Sequence, residues 1–304
     1  MLISIILLIL LGIDWASGYV IASYCTSHGV TTLGYVFWQT NASFILIALI
    51  QLVRKDLKPV KGSFSYSLLS GIFCVVIPEI LIYSCVRHIP SGILTILGNV
   101  APVFTYSLAI FFRQERFSMA RMLMVLLAVV GILLIVSPRH QISLNFDKSW
   151  FAISLLIPLS YAFSVVFIAR FRPQAGNILN YTMWMLFAGG VIVTILTLNS
   201  NQFYPLHLSE LPSKLILLQV LLSTVGYLML FKIIGKAGPV YFTLVNAVTV
   251  CAGLVYGKLI FNQQFNHITY IAVAIILISI LGLSLLQNRF IKKVSVSTIA
   301  HPEV

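Results

Sequence analysis

Apolar residues fill ten long blocks along the chain, separated by short polar stretches: 2–24, 31–53, 65–88, 92–113, 118–137, 150–170, 178–200, 213–234, 239–261 and 266–288. Each block approaches the ~20 residues that a helix rising ~1.5 Å per residue needs to cross a bilayer. The pattern predicts an all-α polytopic membrane protein with ten transmembrane helices. A transmembrane β-barrel would instead alternate over ~10-residue segments, and no such alternation is visible. The longest links, near 138–149 and 200–212, are polar and small, so no soluble domain is expected. The first block is apolar from Leu2 but has neither a basic leading region nor an A-x-A site. It reads as a retained helix rather than a signal peptide.

The blocks also echo one another. "LGYVFW" at 33–38 matches "LNYTMW" at 179–184, with Tyr35 and Tyr181, and Trp38 and Trp184, each 146 residues apart. "YSCVRHIPSGILTILGNVAPV" at 83–103 lines up with "FKIIGKAGPVYFTLVNAVTVC" at 231–251, offset by 148. Each of these stretches reads as a span end, a tight Gly/Pro turn and an apolar helix carrying an asparagine. Ten spans divide into two copies of five, and an odd number of crossings turns the second copy over. The expected organisation is therefore a first five-helix repeat over 1–139, an inverted repeat over 140–290 and a cytosolic tail over 291–304. Inverted repeats build many secondary transporters, with the binding site near the midplane where the copies meet. The Tyr and Trp pairs are expected as interfacial anchors, with a substrate contact as the other reading.

Composition agrees with the spans. Hydrophobic residues make up 60% of the 304 and charged residues 9%, with a mean hydropathy of +1.02. A soluble domain carries about 25% charged residues. The net charge of +12 would point to nucleic acid in a soluble chain, but here the basic residues sort by side. With the N-terminus inside, the cytosolic face holds Arg54, Lys55, Lys58, Lys61, Arg113, Arg116, Arg121, Arg170, Arg172, Lys232, Lys236, Arg289, Lys292 and Lys293. The opposite face holds Arg87, Arg139, Lys148, Lys214 and Lys258. That bias places both termini in the cytosol of a multi-pass inner-membrane protein and accounts for the basic charge without nucleic acid. Cys25, Cys74, Cys85 and Cys251 show no C-x-x-C spacing; they read as small apolar packing residues, and neither a metal nor another cofactor is expected.

The stretch "SGILTILGNVAPVFTYSLAIFFRQERFSMARMLMVLLAVVGILLIV" carries a proline at 102, a glutamate thirteen residues on at 115, and Gly131 in the next span. With the two five-span copies, it resembles the drug/metabolite transporter superfamily, specifically its EamA-type ten-helix branch. The second copy departs from that pattern, with Val250 and Gln263 at the places of Pro102 and Glu115. The resemblance implies transport of amino acids, amines, nucleosides or other small metabolites, and does not choose among them.

Two of the seven acidic residues, Asp14 and Glu79, lie deep in spans. A carboxylate near the bilayer centre costs roughly 2.5–3.5 kcal/mol on insertion scales, so it should face the bundle interior. A buried, protonated and inert carboxyl is the other reading. Asp14 is 12 residues past Leu2 and Glu79 is 14 past Ser65, which puts them ~18 and ~21 Å deep. At nearly equal depth, a pair in contact could titrate as a unit and exchange a proton for a substrate amine. Pro78 beside Glu79 frees a carbonyl one turn earlier and bends the helix, and Tyr83 shares the helix face of Glu79. Around them, Trp15, Tyr19, Asn99, Ser160, Tyr161, Ser164, Tyr227, Asn246 and Thr249 fit one central cavity. Arg87 and Lys258 are expected to snorkel or to attract an anionic group at its mouth. Small residues at Gly12 and Ala16, and at Gly253 and Gly257, predict close helix approach.

The expected function is therefore a secondary active transporter of amino acids or amine-bearing metabolites, working in export by alternating access, with protons as the coupling ion. A membrane-embedded enzyme, a carrier of nucleotide-like or phosphorylated metabolites, and a channel or scaffold are the alternatives. No H-E-x-x-H, G-x-S-x-G, Walker A or clustered Asp motif supports enzymatic chemistry. The expected partners are a small-molecule substrate and the bilayer; a homodimer is left open.

Overall fold

The structure is a computed structural model that describes residues 2–59, 63–113, 117–136, 148–171, 177–242 and 245–300. The described residues are helical or loop, without a strand. The first two spans are α1 (Leu2–Ser27) and α2 (Thr32–Val53). The third is α3 (Phe64–Gly71), a π turn (Ile72–Val76) and α4 (Ile77–Cys85). The fourth is α5 (Ser91–Gly98) and α6 (Ala101–Phe111), and the fifth is α7 (Met119–Val136). The remainder are α8 (Lys148–Ser154) with α9 (Leu156–Phe171), α10 (Ile178–Asn199), α11 (Leu211–Phe242), α12 (Val245–Phe261) and α13 (His267–Ala300). Among the described residues, six helical stretches are long and apolar enough to cross a membrane, shorter apolar helices occupy three of the other predicted spans, and α8 with α9 occupies the one at 150–170.

Sequence explains the breaks. Pro78 has no N–H to donate, and the helix before it widens: the Ile77 amide reaches back five residues to the Ile72 carbonyl. In that register Pro78 would have bonded the Phe73 carbonyl. Ser160 of α9 supplies the missing donor, its Oγ 2.8 Å from the Phe73 oxygen. The carbonyl that proline frees is thus satisfied by the neighbouring helix. Span four breaks at Asn99 and Val100, just before Pro102 enters the first turn of α6. Proline is at home there because first-turn amides have no intrahelical acceptor.

Two boundaries differ from expectation. Helix α11 runs on to Phe242 through the expected turn at Gly235–Pro239. Proline's fixed φ is itself helical and costs only one bond and some crowding, so it need not end the helix. Helix α13 continues to Ala300, so most of the expected tail is helical; its apolar run ends earlier, but nothing in "NRFIKKVSVSTIA" breaks a helix. Of the expected link near 138–149, residues 138–147 lie outside the described residues, as does Glu115, and Lys148 already opens α8.

The 146-residue echo recurs in the backbone. Thr31 caps the N-terminus of α2, accepting from the Gly34 amide, and Asn177 caps α10, accepting from Leu179 and Asn180. At the far ends, Lys55 and Asn201 both adopt left-handed φ, 56° and 53°. Each helix then closes alike, with Asp56 N–H donating to Gln51 O and Gln202 N–H to Thr197 O. The two helices run antiparallel side by side. Asn41 donates to Thr194 at mid-length, at 3.2 Å, while Asn177 Nδ2 donates to Asp56 Oδ2 at 2.8 Å. At the other end, Thr31 Oγ1 donates to Gln202 O at 2.5 Å. Helices α7 and α13 pair antiparallel too, Gly131 against Ile276 and Met124 against Gly282. So do α5 and α12, where Gly253 lies under Thr95 and Gly92 and Gly257 lie under Gln263. Where the sequence predicted close approach, Gly12 packs on α12, a Cβ there falling 2.5 Å from Val248 Cγ1.

The opening aromatics correct one expectation. Tyr35 is fully buried and Tyr181 nearly so, so neither is an interfacial anchor. Tyr35 packs at a tilt against Tyr83, ring centroids 4.3 Å apart, and Tyr181 packs edge-on against Tyr66 at 5.4 Å. Both face neighbouring helices instead of the bilayer surface. Trp38 is half-buried, and its indole N–H donates to the Tyr204 carbonyl at 2.8 Å.

Candidate substrate-binding site

Among the described residues, Glu79 and Asp14 are the two buried carboxyls, each only 8% exposed. Glu79 sits one residue past the proline that ends the π turn. Gln39 of α2 donates through Nε2 to Glu79 Oε1 at 3.1 Å, and Tyr83, one turn along α4, donates its hydroxyl to Gln39 Oε1. The amide thus gives on one side and receives on the other, which fixes its orientation. The second oxygen, Oε2, is buried without a hydrogen-bond partner.

Four tyrosines surround this carboxyl. Tyr35, Tyr83, Tyr161 and Tyr227 all lie within electrostatic range of Glu79. Tyr161 of α9 is the junction, because it also feels Tyr19 of α1 and Tyr227 of α11. The Tyr19 hydroxyl rests directly on Gly98 at the end of α5, in the space a side chain there would fill. Five predicted residues are therefore brought together: Tyr19, Glu79, Tyr83, Tyr161 and Tyr227.

Asp14 forms a second nest. Its Oδ2 lies against Gly226 of α11, only 2.5 Å from where a Cβ would stand, with Trp15 Nε1 3.5 Å from the same point. Tyr256 of α12 is within reach of its charge. Its Oδ1 is buried and unpartnered. The printed contacts of the two carboxyls differ, Glu79 meeting Gln39 of α2 and Asp14 lying against Gly226 of α11.

The remaining predicted residues have local roles or stand apart. Asn99 donates to the Thr95 carbonyl at 2.9 Å and closes α5. Ser164 donates to the Tyr161 carbonyl in its own helix at 2.8 Å, and Thr249 does the same to Val245 at 2.9 Å. Asn246 is half-buried in the first turn of α12. Arg87 is exposed and donates to the Val30 carbonyl at 2.8 Å, tying the α1–α2 turn to the end of α4. Sequence reasoning missed Gln39 and Gly226. Gln39 had a visible signal, an amide in an apolar span one turn after Tyr35; a glycine's closeness to a carboxyl has none.

Comparison with known proteins adds a partial family match. Residues 2–137 match the EamA-like transporter family. Protein PecM of Dickeya dadantii (strain 3937) is 23% identical over 280 residues, covering 90% of this chain and 91% of its own. One crystal structure of a protein aligns with a TM-score of 0.61 at 16% identity, over 94% of this chain and 98% of its own. That likeness is one of fold.

Proposed function

We propose that this chain, whose residues 2–137 match the EamA-like transporter family, is a secondary transporter of small amine-bearing metabolites, amino acids among them. The observation that carries this reading is the pair of buried carboxyls, each with an oxygen left without a partner. Among the described residues neither is ion-paired to a lysine or arginine. A buried anion without a counter-charge is costly; a substrate ammonium or a proton would compensate it.

The tyrosines fit that role. Their ring faces attract ammonium groups, and their hydroxyls can donate to a carboxylate. Alternating access follows if the halves 1–139 and 140–290 rock about the antiparallel pairs α2–α10 and α7–α13, exposing the site to each side in turn. Protonation of Asp14 or Glu79 on one side and amine binding on the other would couple export to a proton gradient. The basic-residue bias supports cytosolic termini in an inner membrane. Reporter fusions after Ile291 and within 140–148 should then report opposite sides.

Counterflow in proteoliposomes tests the function. Labelled amine should exchange across the membrane without ATP, and Asp14→Asn or Glu79→Gln should abolish proton-driven uptake while the protein still elutes as a folded species. Normal pH-sensitive transport in both variants would make the carboxyls structural. Tightest binding of a phosphate ester or dicarboxylate would overturn the amine class.

A further inference from the structure

The surroundings of the two carboxyls share helix α11. Gly226 abuts Asp14, and the next residue, Tyr227, lies within electrostatic range of Glu79. Consecutive Cα atoms are ~3.8 Å apart, so one stretch of α11 lies against the Asp14 carboxyl and within electrostatic range of Glu79. Tyr161 is in electrostatic range of both Glu79, on α4, and Tyr19, on α1, the helix that also carries Asp14. Each nest ends in one buried, unpartnered oxygen, Asp14 Oδ1 and Glu79 Oε2. Among the described residues, lysines and arginines with recorded partners engage elsewhere, Arg87 with a loop carbonyl and Arg121 over the Tyr106 ring.

A monoamine would compensate one nest and leave the other anion bare. We propose that the site takes a linear dication, two ammonium groups joined by a flexible apolar chain, one on Asp14 Oδ1 and the other on Glu79 Oε2. The chain between them lies along the Tyr161 and Tyr227 rings, whose faces suit both methylene groups and ammonium hydrogens. Gly226 is what permits the Asp14 end, since any side chain there would displace the carboxylate. The inference rests on the amine-transport reading and narrows its substrate to two charges.

The test compares 1,4-diaminobutane with 1-aminobutane, which share a chain and differ by one ammonium. Purified protein is examined by thermal shift and by inhibition of counterflow. The diamine should bind at least about tenfold more tightly, the step that separates ~1.4 kcal/mol. Asp14→Asn and Glu79→Gln should each erase that preference, and Asp14→Glu and Glu79→Asp should retain part of it. Equal binding of the two amines by the unaltered protein would overturn the dication while leaving amine transport standing. Failure of every amine to bind or exchange would remove the transport reading as well. The wild-type comparison decides the matter even if a variant fails to fold.

Discussion

Thr31 and Asn177, 146 residues apart, each cap one helix and reach the loop that closes the other, Thr31 through Gln202 and Asn177 through Asp56. The same two-step contact is made at opposite ends of one antiparallel pair. Loss of a cap side chain typically costs about 1 kcal/mol. Asn177→Ala should exceed that, because it also strips Asp56 Oδ2 of its 2.8 Å donor. Thermal unfolding in detergent of Asn177→Ala, Asp56→Ala and the double variant should show a non-additive loss; simple additivity would mean the tie contributes nothing.

Ser160 and Pro78 should be coupled although they do not touch. Ser160→Ala leaves the Phe73 carbonyl buried without a donor, a loss of about 1–3 kcal/mol. In a Pro78→Ala background the restored amide can serve that carbonyl, so the same serine change should cost well under ~1 kcal/mol. A double-mutant cycle measures this directly. Equal costs in both backgrounds would show that the serine packs and does not cap.

Lys55 and Asn201 hold left-handed φ at the ends of α2 and α10. Replacing either by glycine removes a strain of roughly 1 kcal/mol or more for a residue bearing a Cβ. Lys55→Gly should raise Tm more than Asn201→Gly, since asparagine tolerates that region better than lysine. The reverse order would count against this account of the two turns.

Gln39→Leu should destabilise the protein by about 1–3 kcal/mol, because it deprives both Glu79 Oε1 and the Tyr83 hydroxyl of their partner. Gly226→Val should weaken substrate exchange far more than it lowers Tm, since its side chain would occupy the space of Asp14 Oδ2. A Tm loss without any transport defect would place Asp14 outside the substrate path.

How much of this was legible in the chain follows from what each feature depends on. Span lengths and number come from apolar runs, and the runs are long, so nearly every boundary fell within a few residues. Pro78 and Pro102 announced their breaks through a missing amide. The helix through Gly235–Pro239 did not, because both residues can hold helical dihedrals where packing asks for them. Deep carboxyls declared themselves by rarity, but their faces did not: about 100° per residue and an inserted π residue decide which neighbour Glu79 meets. Tyr35 misled for the same reason, since a residue at a span end can turn inward onto Tyr83. Gln263 reads only as a departure from a family pattern. In the fold it sits over Gly92 and Gly257, donating to Ser91 and accepting from the Gly92 amide, a job that needs one donor and one acceptor, which an amide supplies and a carboxylate does not.

The π turn at Ile72–Val76 works as a frame shift in the wheel of span three. An inserted residue rotates everything beyond it by about 100° relative to a regular helix. Upstream residues keep one orientation, and Glu79 and Tyr83 are dialled onto α2. Removing one residue from the turn would leave composition, hydropathy and span length almost unchanged, yet aim the carboxyl at a different neighbour. The address of Glu79 is therefore written as a count of residues, not as the identity of any of them.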